Sequence, residues 1–260
     1  MADHRFPEDA FPAIVAHRGA SATHPENTLS SFRAALDLGA PVIELDVRVS
    51  ADGIAVVMHD PDVARTTDGE GLVHELPLAG LAELNAGTPE APEPVPTLAD
   101  ALGLISGRAA VALEIKNLPG EPGHAERELI VEATHAELER VGFEGPVLIV
   151  SFNPRSVEAS KAIAPDVPTG FLSMEPVDPR EALAYAARAG HDLVLPGTRS
   201  LIPAGPAFVN EVHAAGLRVG TWTVDDRSTL EMLLDRGVDA IASNDPAMAL
   251  ASLAGRAQPA

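Results

Sequence analysis

Short apolar and β-branched segments recur along the whole chain and alternate with longer segments of helical periodicity. Eight of them predict strands, at residues 13–18, 42–49, 109–116, 147–152, 168–173, 192–196, 217–224 and 239–243. Strands that alternate with helices are typical of a parallel sheet, and eight such units favour closure into a barrel. We therefore predict an α/β protein with a TIM (β/α)8 barrel. An open, doubly wound sheet is the alternative, although no G-x-G-x-x-G dinucleotide motif follows the first strand.

Glycines and capping residues mark the ends of the predicted helices. Several helical segments are followed by a glycine, which readily adopts the left-handed conformation beyond a helix end. These glycines are Gly39, Gly107, Gly142, Gly190, Gly216 and Gly237. Three helices are predicted to begin at an Asx residue followed by proline, at Asn153-Pro154, Asp178-Pro179 and Asp245-Pro246. Thr97 and Asp100 predict a related cap for the helix near residue 98.

One long segment interrupts this alternation, between the second strand and the helix near residue 98. It lacks a long helical pattern and ends in the proline-rich stretch TPEAPEPVPT. Such a segment is too long for a simple connection between a strand and a helix of a barrel. We therefore predict a single domain over residues 1–260 with a small inserted lobe after strand two, at about residues 51–96, that opens with a β-hairpin.

Composition and charge narrow the classes of function. The chain has no cysteine, which excludes disulfides, thiolate metal sites and cysteine nucleophiles. A net charge of −20 argues against nucleic acid or an anionic membrane as a partner, because phosphate groups bind to clustered Lys and Arg. We see no secretory signal and no apolar run of membrane-spanning length, so we expect a cytoplasmic protein without stable membrane insertion. A homodimer is compatible with the sequence.

Acidic and apolar side chains alternate on the second and third predicted strands. VIELDVRV places Glu44, Asp46 and Arg48 on one face, and AVALEIKN places Glu114 and Lys116 on one face. Side chains at the carboxyl ends of the strands form the active site of a barrel. Three carboxylates buried together without a cation would be costly. We therefore predict that the three acids bind a hard divalent cation such as Mg²⁺ or Ca²⁺, with structural ion pairs to Arg48 and Lys116 as the alternative.

Two histidines are predicted to lie beside these acids. His17 ends the first strand, and His59 follows the hairpin that turns at Asp52-Gly53. A two-residue loop there would place His59 opposite Asp46, whereas a bulge or a three-residue loop would break this register. Two histidines beside a cation offer a general base and a general acid with pKa values near neutrality. A single histidine beside an acid could equally be a structural pair.

The only tryptophan, Trp222, lies near the end of the seventh predicted strand. It could pack over the barrel core or form an apolar wall for a substrate, and we include it among the candidate substrate-binding residues. Phe152 ends the fourth strand, and we expect it to pack in the core.

The order of these residues resembles a known family. The segments that carry the resemblance are, in order, HRGA, PENT, IELDVRVSADGIAVVMHD, RTTDGEG, LEIK, SFNP and WTVDD. With them, the chain resembles the glycerophosphodiester phosphodiesterases from about Ala13 to Pro246. The resemblance implies a catalytic TIM barrel with a small insertion after strand two and a divalent metal cofactor. It also implies a small-molecule glycerophosphodiester substrate, which is hydrolysed to glycerol 3-phosphate and an alcohol.

The resemblance also implies roles for individual residues. His17 and His59 would be the general acid–base pair, Arg18 and Lys116 would contact the phosphate, and the metal ligands would be Glu44, Asp46 and Glu114. The PENT segment, residues 25–28, is expected to support the first loop and helix. Two positions depart from the family pattern: Asp225 replaces an expected asparagine, and Ser243-Asn244-Asp245 differs from the usual Thr-Asp. We expect both departures to lie away from the catalytic residues and to affect substrate preference.

Two other functions are considered. The same barrel and metal site could act on lysophospholipids or sphingolipids, as a lysophospholipase D or sphingomyelinase D would, but this requires an apolar groove and the aromatic content is only 3%. A barrel that binds phosphodiesters without catalysis is disfavoured by the presence of both histidines and all three acids. Which histidine is the base, and whether water or the glycerol 2-hydroxyl attacks, stays open at the level of the sequence.

Overall fold

A closed barrel of eight parallel strands organises the protein, whose computed structural model describes residues 4–256. The strands are β1 (Ala13–Ala16), β2 (Val42–Val49), β3 (Ala55–Val57), β4 (Ala110–Ile115), β5 (Val147–Ser151), β6 (Thr169–Ser173), β7 (Leu193–Pro196), β8 (Arg218–Thr221) and β9 (Ala240–Ser243). All except β3 pair in parallel with their barrel neighbours, and β1 pairs with both β2 and β9. The prediction of a TIM barrel is confirmed. The open-sheet alternative is wrong because the first and last strands pair with each other.

Helices follow the barrel strands along the chain. They are α1 (Leu29–Asp37), α2 (Leu78–Leu81), α3 (Leu98–Ile105), α4 (Leu129–Val141), α5 (Pro154–Ile163), α6 (Pro179–Ala189), α7 (Thr198–Ala214), α8 (Arg227–Asp235) and α9 (Pro246–Arg256). Two single 3-10 turns lie at Glu8–Ala10 and Val73–Glu75. Within residues 4–256, none of these helices combines the length and apolar character that crossing a membrane requires.

The predicted helix ends are confirmed. All six glycines beyond helices have positive φ angles, between 64° and 80°. Asn153 and Asp178 each accept a hydrogen bond from the backbone N–H two residues later, with proline in the first turn. Thr97 and Asp100 form the reciprocal capping box at the start of α3. Local sequence therefore defines where these helices begin and end.

Alternation along the strands divides their side chains between two apolar layers. On β2, Ile43, Leu45 and Val47 point outward, into a cluster that includes Phe32 of α1 and Leu102 of α3. A second cluster is built mainly from inward-facing strand residues and fills the barrel; it includes Leu148, Val150, Leu172, Leu193 and Leu195. Because strand side chains alternate, the acids between the outward-facing residues of β2 face the barrel interior.

The segment between β2 and α3 has its own small apolar cluster, formed by Val56, Met58, Val63, Val73, Leu81, Ala86 and Val95. Its first strand, β3, pairs antiparallel with β2. This separate cluster supports our proposal that residues 51–96 are a lobe inserted into a single domain.

The hairpin that opens this segment has a three-residue loop rather than the expected two-residue loop. Ser50 N donates to Ile54 O at 2.9 Å, which closes a loop of residues 51–53. Gly53 has φ 81°, the left-handed conformation that completes the common three-residue hairpin turn. The Ser50 hydroxyl also accepts a hydrogen bond from Ile54 N at 3.0 Å.

The longer loop shifts the register by one residue. Val47 pairs with Val57, so Asp46 lies opposite Met58, whose N–H donates to Asp46 O at 3.0 Å. The predicted pairing of Asp46 with His59 is therefore wrong. His59 lies in the bend that follows β3, outside the antiparallel ladder.

We predict that Gly19→Ala destabilises the protein more than Gly39→Ala. Both glycines have positive φ, 83° and 80°. A Cβ on Gly19 would lie 2.4 Å from Ser31 Oγ and 2.6 Å from the Ser31 carbonyl carbon, whereas nothing lies within 4 Å of one on Gly39. The extra overlap should lower the free energy of unfolding by about 1–3 kcal/mol beyond the backbone strain that both variants share. Urea unfolding of the two variants measures the difference, and equal losses would contradict the prediction.

Candidate active site

Three carboxylates meet at the carboxyl ends of β2 and β4. Glu44 and Asp46 project inward from β2, and Glu114 on β4 pairs in register with Asp46. One oxygen from each lies within 4.8 Å of the others, and all three residues are buried. The period of two along each strand, with the parallel register between the strands, is sufficient to assemble this cluster.

Two cations partly neutralise the cluster. Lys116 Nζ lies 3.0 Å from Asp46 Oδ1 and donates to Glu114, and Arg18 Nε lies 3.1 Å from Asp46 Oδ2. The ion pairs expected for Lys116 are therefore present, in a cluster that can also hold a cation. Arg48 instead pairs with Glu121 at 3.0 Å, outside the cluster.

Glu44 is the least compensated of the three acids. Its Oε2 accepts a hydrogen bond from Arg18 N at 2.9 Å. Its Oε1 is buried and has no hydrogen-bond partner among the residues that the structure describes. An acceptor in that state is costly unless a cation or a donor reaches it.

The carboxyl groups differ in proton affinity. Burial, reinforced by Asp46, raises the pKa of Glu44 to about 8. Burial also raises the pKa of Glu114 to about 7, although Lys116 opposes it. At Asp46 burial disfavours the charge, but Lys116 and Arg18 outweigh it and hold the pKa below its ordinary value. Two of the three acids thus retain protons near neutrality unless more positive charge is present.

These residues fit a hard divalent cation. Oxygen donors from three carboxylates suit Mg²⁺ or Ca²⁺, and the unpartnered Glu44 Oε1 is a free ligand atom. Burial raises the pKa values of Glu44 and Glu114, and a bound cation would supply the positive charge that favours their ionised forms.

His17 follows β1 and is held by a residue that follows the neighbouring strand, β9. Its Nδ1 lies 2.7 Å from Asn244 Oδ1, and its Nε2 lies 4.0 Å from Glu44 Oε2. Asn244 in turn donates from Nδ2 to Asp225 Oδ2 at 2.7 Å. The expectation that both sequence departures lie away from the catalytic residues is therefore wrong, because Asn244 contacts His17 directly.

His59 has a carboxylate partner instead of an amide. Its Nδ1 lies 2.5 Å from Asp60 Oδ1, and its carbonyl accepts from Arg48 Nε at 2.8 Å. Burial opposes the charge on Asp60, but hydrogen bonds from Arg65 and His59 lower its pKa to about 2. Asp60 therefore stays ionised and fixes the His59 ring from one side.

A chain of alternating charges joins the two halves of the site. Arg65 donates to Asp60, and also to both oxygens of Glu26, at 2.7 and 2.9 Å. Glu26 accepts from Arg18 Nη1 at 2.9 Å. The neighbouring Asn27 donates from Nδ2 to Asp46 at 2.7 Å. The PENT segment thus contacts the carboxylate cluster as well as supporting the first loop, and its only signal in the sequence was the motif itself.

One cavity collects the predicted residues. Of the predicted site residues, Asp46 is fully buried and does not line the cavity. The others do, and they are His17, Arg18, Glu44, His59, Glu114, Lys116 and Trp222. Trp222 packs edge-on against Phe152, with ring centroids 5.2 Å apart, and donates from Nε1 to Leu195 O at 3.0 Å. It therefore both caps the core and forms a wall of the cavity.

Comparison with known proteins relates this geometry to one family. Residues 17–248 match the model of the glycerophosphoryl diester phosphodiesterase family. A glycerophosphodiester phosphodiesterase of Caldanaerobacter subterraneus subsp. tengcongensis is 36% identical, over 90% of this chain and 94% of that protein. A glycerophosphodiester phosphodiesterase of Bacillus subtilis is 32% identical, over 89% of this chain and 83% of that protein. The solved structure of an Oleispira antarctica phosphodiesterase in complex with the product sn-glycerol-3-phosphate superposes with a TM-score of 0.84 and 30% identity, over 95% of this chain and 98% of that one.

We predict that stabilisation by a divalent cation increases with pH. The folded-state pKa values of Glu44 and Glu114, about 8 and about 7, lie above the ordinary value of 4.5. Without metal, these acids therefore favour the folded state at low pH, and that contribution is lost as the pH rises through 7 to 8. A cation must displace their protons, so Mg²⁺ or Ca²⁺ should raise the Tm of chelator-treated protein more at about pH 8.5 than at about pH 6.

Glu44→Gln provides the control for this measurement. It removes the charge of one proposed metal ligand and one of the two protons that a cation must displace. The variant should lose most of the metal-dependent rise in Tm at the higher pH. Equal rises at both pH values in the unmodified protein would contradict the pKa assignments.

Proposed function

The chain belongs to the glycerophosphoryl diester phosphodiesterase family, and on that premise we propose that it hydrolyses glycerophosphodiesters to glycerol 3-phosphate and an alcohol. His17 and His59 are proposed to act as the general acid–base pair beside a divalent metal ion. The observation that carries this proposal is their convergence, from separate loops, on one cavity lined by Glu44, Glu114 and Lys116. The bound sn-glycerol-3-phosphate named for the Oleispira antarctica structure supports the same class of product.

Charge complementarity supports Arg18 and Lys116 as the phosphate-binding groups. Glu44, Asp46 and Glu114 would hold Mg²⁺ or Ca²⁺, which when bound supplies positive charge to the phosphoryl oxygens. Arg18 and Lys116 line the same cavity beside these acids. Their fixed charges are placed to bind phosphoryl oxygens and to stabilise the negative charge that develops there during the reaction.

The different partners of the two histidines suggest different roles. Asn244 Oδ1 can only accept a hydrogen bond, so His17 carries its proton on Nδ1 and has a lone pair on Nε2. Burial and Arg18 lower the pKa of His17, which favours this neutral form. We therefore assign His17 as the base that takes a proton from the attacking oxygen of water or of the glycerol 2-hydroxyl.

At His59, burial, Lys116 and Arg18 lower the pKa, while Asp46 and the hydrogen bond that the ring donates to Asp60 oppose the decrease. A carboxylate partner stabilises an imidazolium ion more than an amide does. We therefore assign His59 as the acid that protonates the departing alcohol.

A second candidate substrate is suggested by the lower part of the cavity, whose lining includes Leu148, Val150, Leu172, Leu193 and Leu195. Such a surface could accommodate an apolar chain of a lysophospholipid. Comparing kcat/KM for long-chain lysophosphatidylcholine with that for glycerophosphocholine separates the two substrates. A higher value for the lysolipid would favour the lysophospholipase D activity.

We predict that His59→Ala folds normally and lowers kcat by about 10²–10⁴-fold, because it removes the proposed general acid. His213→Ala is a matched control. His213 also pairs with a carboxylate, Asp239 at 2.8 Å, but lies at the end of α7, at the opposite end of the barrel. Release of glycerol 3-phosphate from glycerophosphocholine, followed in a coupled assay, should be unchanged in the control. Near-normal turnover by the His59 variant would remove that residue from the mechanism.

Chelation followed by dialysis should abolish this hydrolysis, and added Mg²⁺ or Ca²⁺ should restore it. The reason is that chelation removes the positive charge that the cation would supply to the phosphoryl oxygens, and the protonated Glu44 and Glu114 do not replace it. The same coupled assay, repeated with several head groups and each metal, identifies the preferred substrate and ion. Full activity in a sample verified as metal-free would defeat the metal assignment while leaving the two histidines to be tested separately.

A further inference from the structure

Asp225 and Asn244, which are distant in the sequence, contact each other at the mouth of the barrel. Asp225 lies shortly after β8, and Asn244 directly follows β9. Asp225 Oδ2 accepts from Asn244 Nδ2 at 2.7 Å, and Asp225 Oδ1 accepts from the backbone N of Asn244 at 2.8 Å. Oδ1 also accepts from the Ser243 hydroxyl at 3.2 Å. The carboxylate of Asp225 thus binds the side chain and the backbone of the same asparagine.

This contact determines which way the Asn244 amide faces. An ionised carboxylate only accepts hydrogen bonds, so the NH₂ group of Asn244 must be the end that faces Asp225. The amide oxygen then faces the opposite way, where it accepts from Ser21 Oγ at 2.9 Å and lies 2.7 Å from His17 Nδ1. An amide flip would place the amide oxygen against the acceptor-only carboxylate of Asp225.

The orientation of the amide in turn determines the tautomer of His17. With an acceptor at Nδ1, the neutral ring carries its proton there and leaves the lone pair on Nε2. Nε2 is the nitrogen on the side of the carboxylate cluster, 4.0 Å from Glu44 Oε2. The backbone of His17 contacts the same hydroxyl, because the single proton of Ser21 Oγ is shared between Asn244 Oδ1 and His17 O, which lies 2.7 Å away.

We propose that Asp225 is a positioning residue that acts through Asn244 to hold His17 in the tautomer with its lone pair on Nε2. Asp225 has no hydrogen bond to His17 itself among the described contacts. The inference rests on the proposed function, in which that lone pair accepts the proton of the attacking oxygen. It extends that proposal by adding a residue beyond those that contact the substrate.

The chemistry of the pair suggests a reciprocal exchange as the test. Asp225→Asn leaves two facing amides, so no carboxylate determines the orientation of the Asn244 amide. Asn244→Asp leaves two facing carboxylates, which repel each other. The double variant Asp225→Asn/Asn244→Asp again has one amide and one carboxylate, and the carboxylate beside His17 still accepts from Nδ1. The exchange thus restores the tautomer with the charge moved to the other residue.

We expect each single substitution to lower kcat by about 10- to 100-fold with KM changed less than about twofold, because outer hydrogen-bond partners act on ring orientation. The double variant should recover to within about threefold of the unmodified, metal-loaded enzyme at about pH 8.5, where the His17 ring is neutral despite the carboxylate that now contacts it. Asp226→Asn is the matched control. It makes the same charge change one residue away, where Asp226 caps α8 by accepting from Thr229 N at 2.8 Å, and asparagine caps equally well. Its kcat should be unchanged.

The tautomer itself is read from long-range ¹H–¹⁵N NMR spectra of the histidine rings, with the His17 signals assigned by their loss in His17→Gln. We expect protonated Nδ1 and unprotonated Nε2 in the unmodified protein, a mixture in Asp225→Asn, and recovery in the double variant. Unaltered kcat and His17 signals in Asp225→Asn would overturn the proposal. So would a loss of activity that the exchange does not rescue. Normal turnover by His17→Gln would instead defeat the base assignment in the proposed function, whatever the Asp225 variants show.

Discussion

Burying three carboxylates together is the constraint on which the site depends. Unpaired negative charge in a barrel interior is costly, and the surrounding structure offsets that cost at several levels. Lys116 and Arg18 bring positive charge to Asp46, and Asn27 donates a hydrogen bond to it. Arg18 adds its backbone N–H to Glu44 from a left-handed conformation with φ 56°. That strained conformation is stabilised by hydrogen bonds to the Arg18 carbonyl from Asn27 N and Ser31 Oγ.

The same electrostatic requirement joins the inserted segment to the barrel. Arg18 needs a second acid, which Glu26 provides, and Glu26 in turn binds Arg65. Arg65 belongs to the segment after β3 and also binds Asp60, the partner of His59. His59 therefore lines the cavity because this series of ion pairs and the bend after β3 position it. Strand pairing does not position it. This explains how His59 can line the site although the hairpin register excludes it from the ladder opposite Asp46.

Local periodicity was enough to predict the barrel and the acids, because both depend on patterns that repeat within a few residues. Alternation on β2 puts Glu44 and Asp46 on the inner face, and helix caps follow from residues three or four positions apart. The hairpin register could not be predicted, since Asp52-Gly53 suits loops of two or three residues. A shift of one residue in the pairing moves every side chain to the opposite face of the strand. The contacts of Asn244 with His17 and of Arg65 with Glu26 join distant positions. The first depends on the pairing of β1 with β9, which closes the barrel, and the second depends on how the loops fold over the mouth, so no local pattern encodes either contact.

The two histidines acquire different chemistry from their partners, although their rings are the same. An amide oxygen orients His17 without adding charge, whereas the carboxylate of Asp60 gives His59 a counter-ion for the protonated ring. A reaction that needs one group to accept a proton and another to donate one is favoured near neutral pH by such a difference before the substrate arrives. The cation site alone cannot provide it, because its field acts on both rings in the same direction. The asymmetry must come from the residues behind the rings, and in this chain those residues are contributed by separate loops, one after β9 and one after β3.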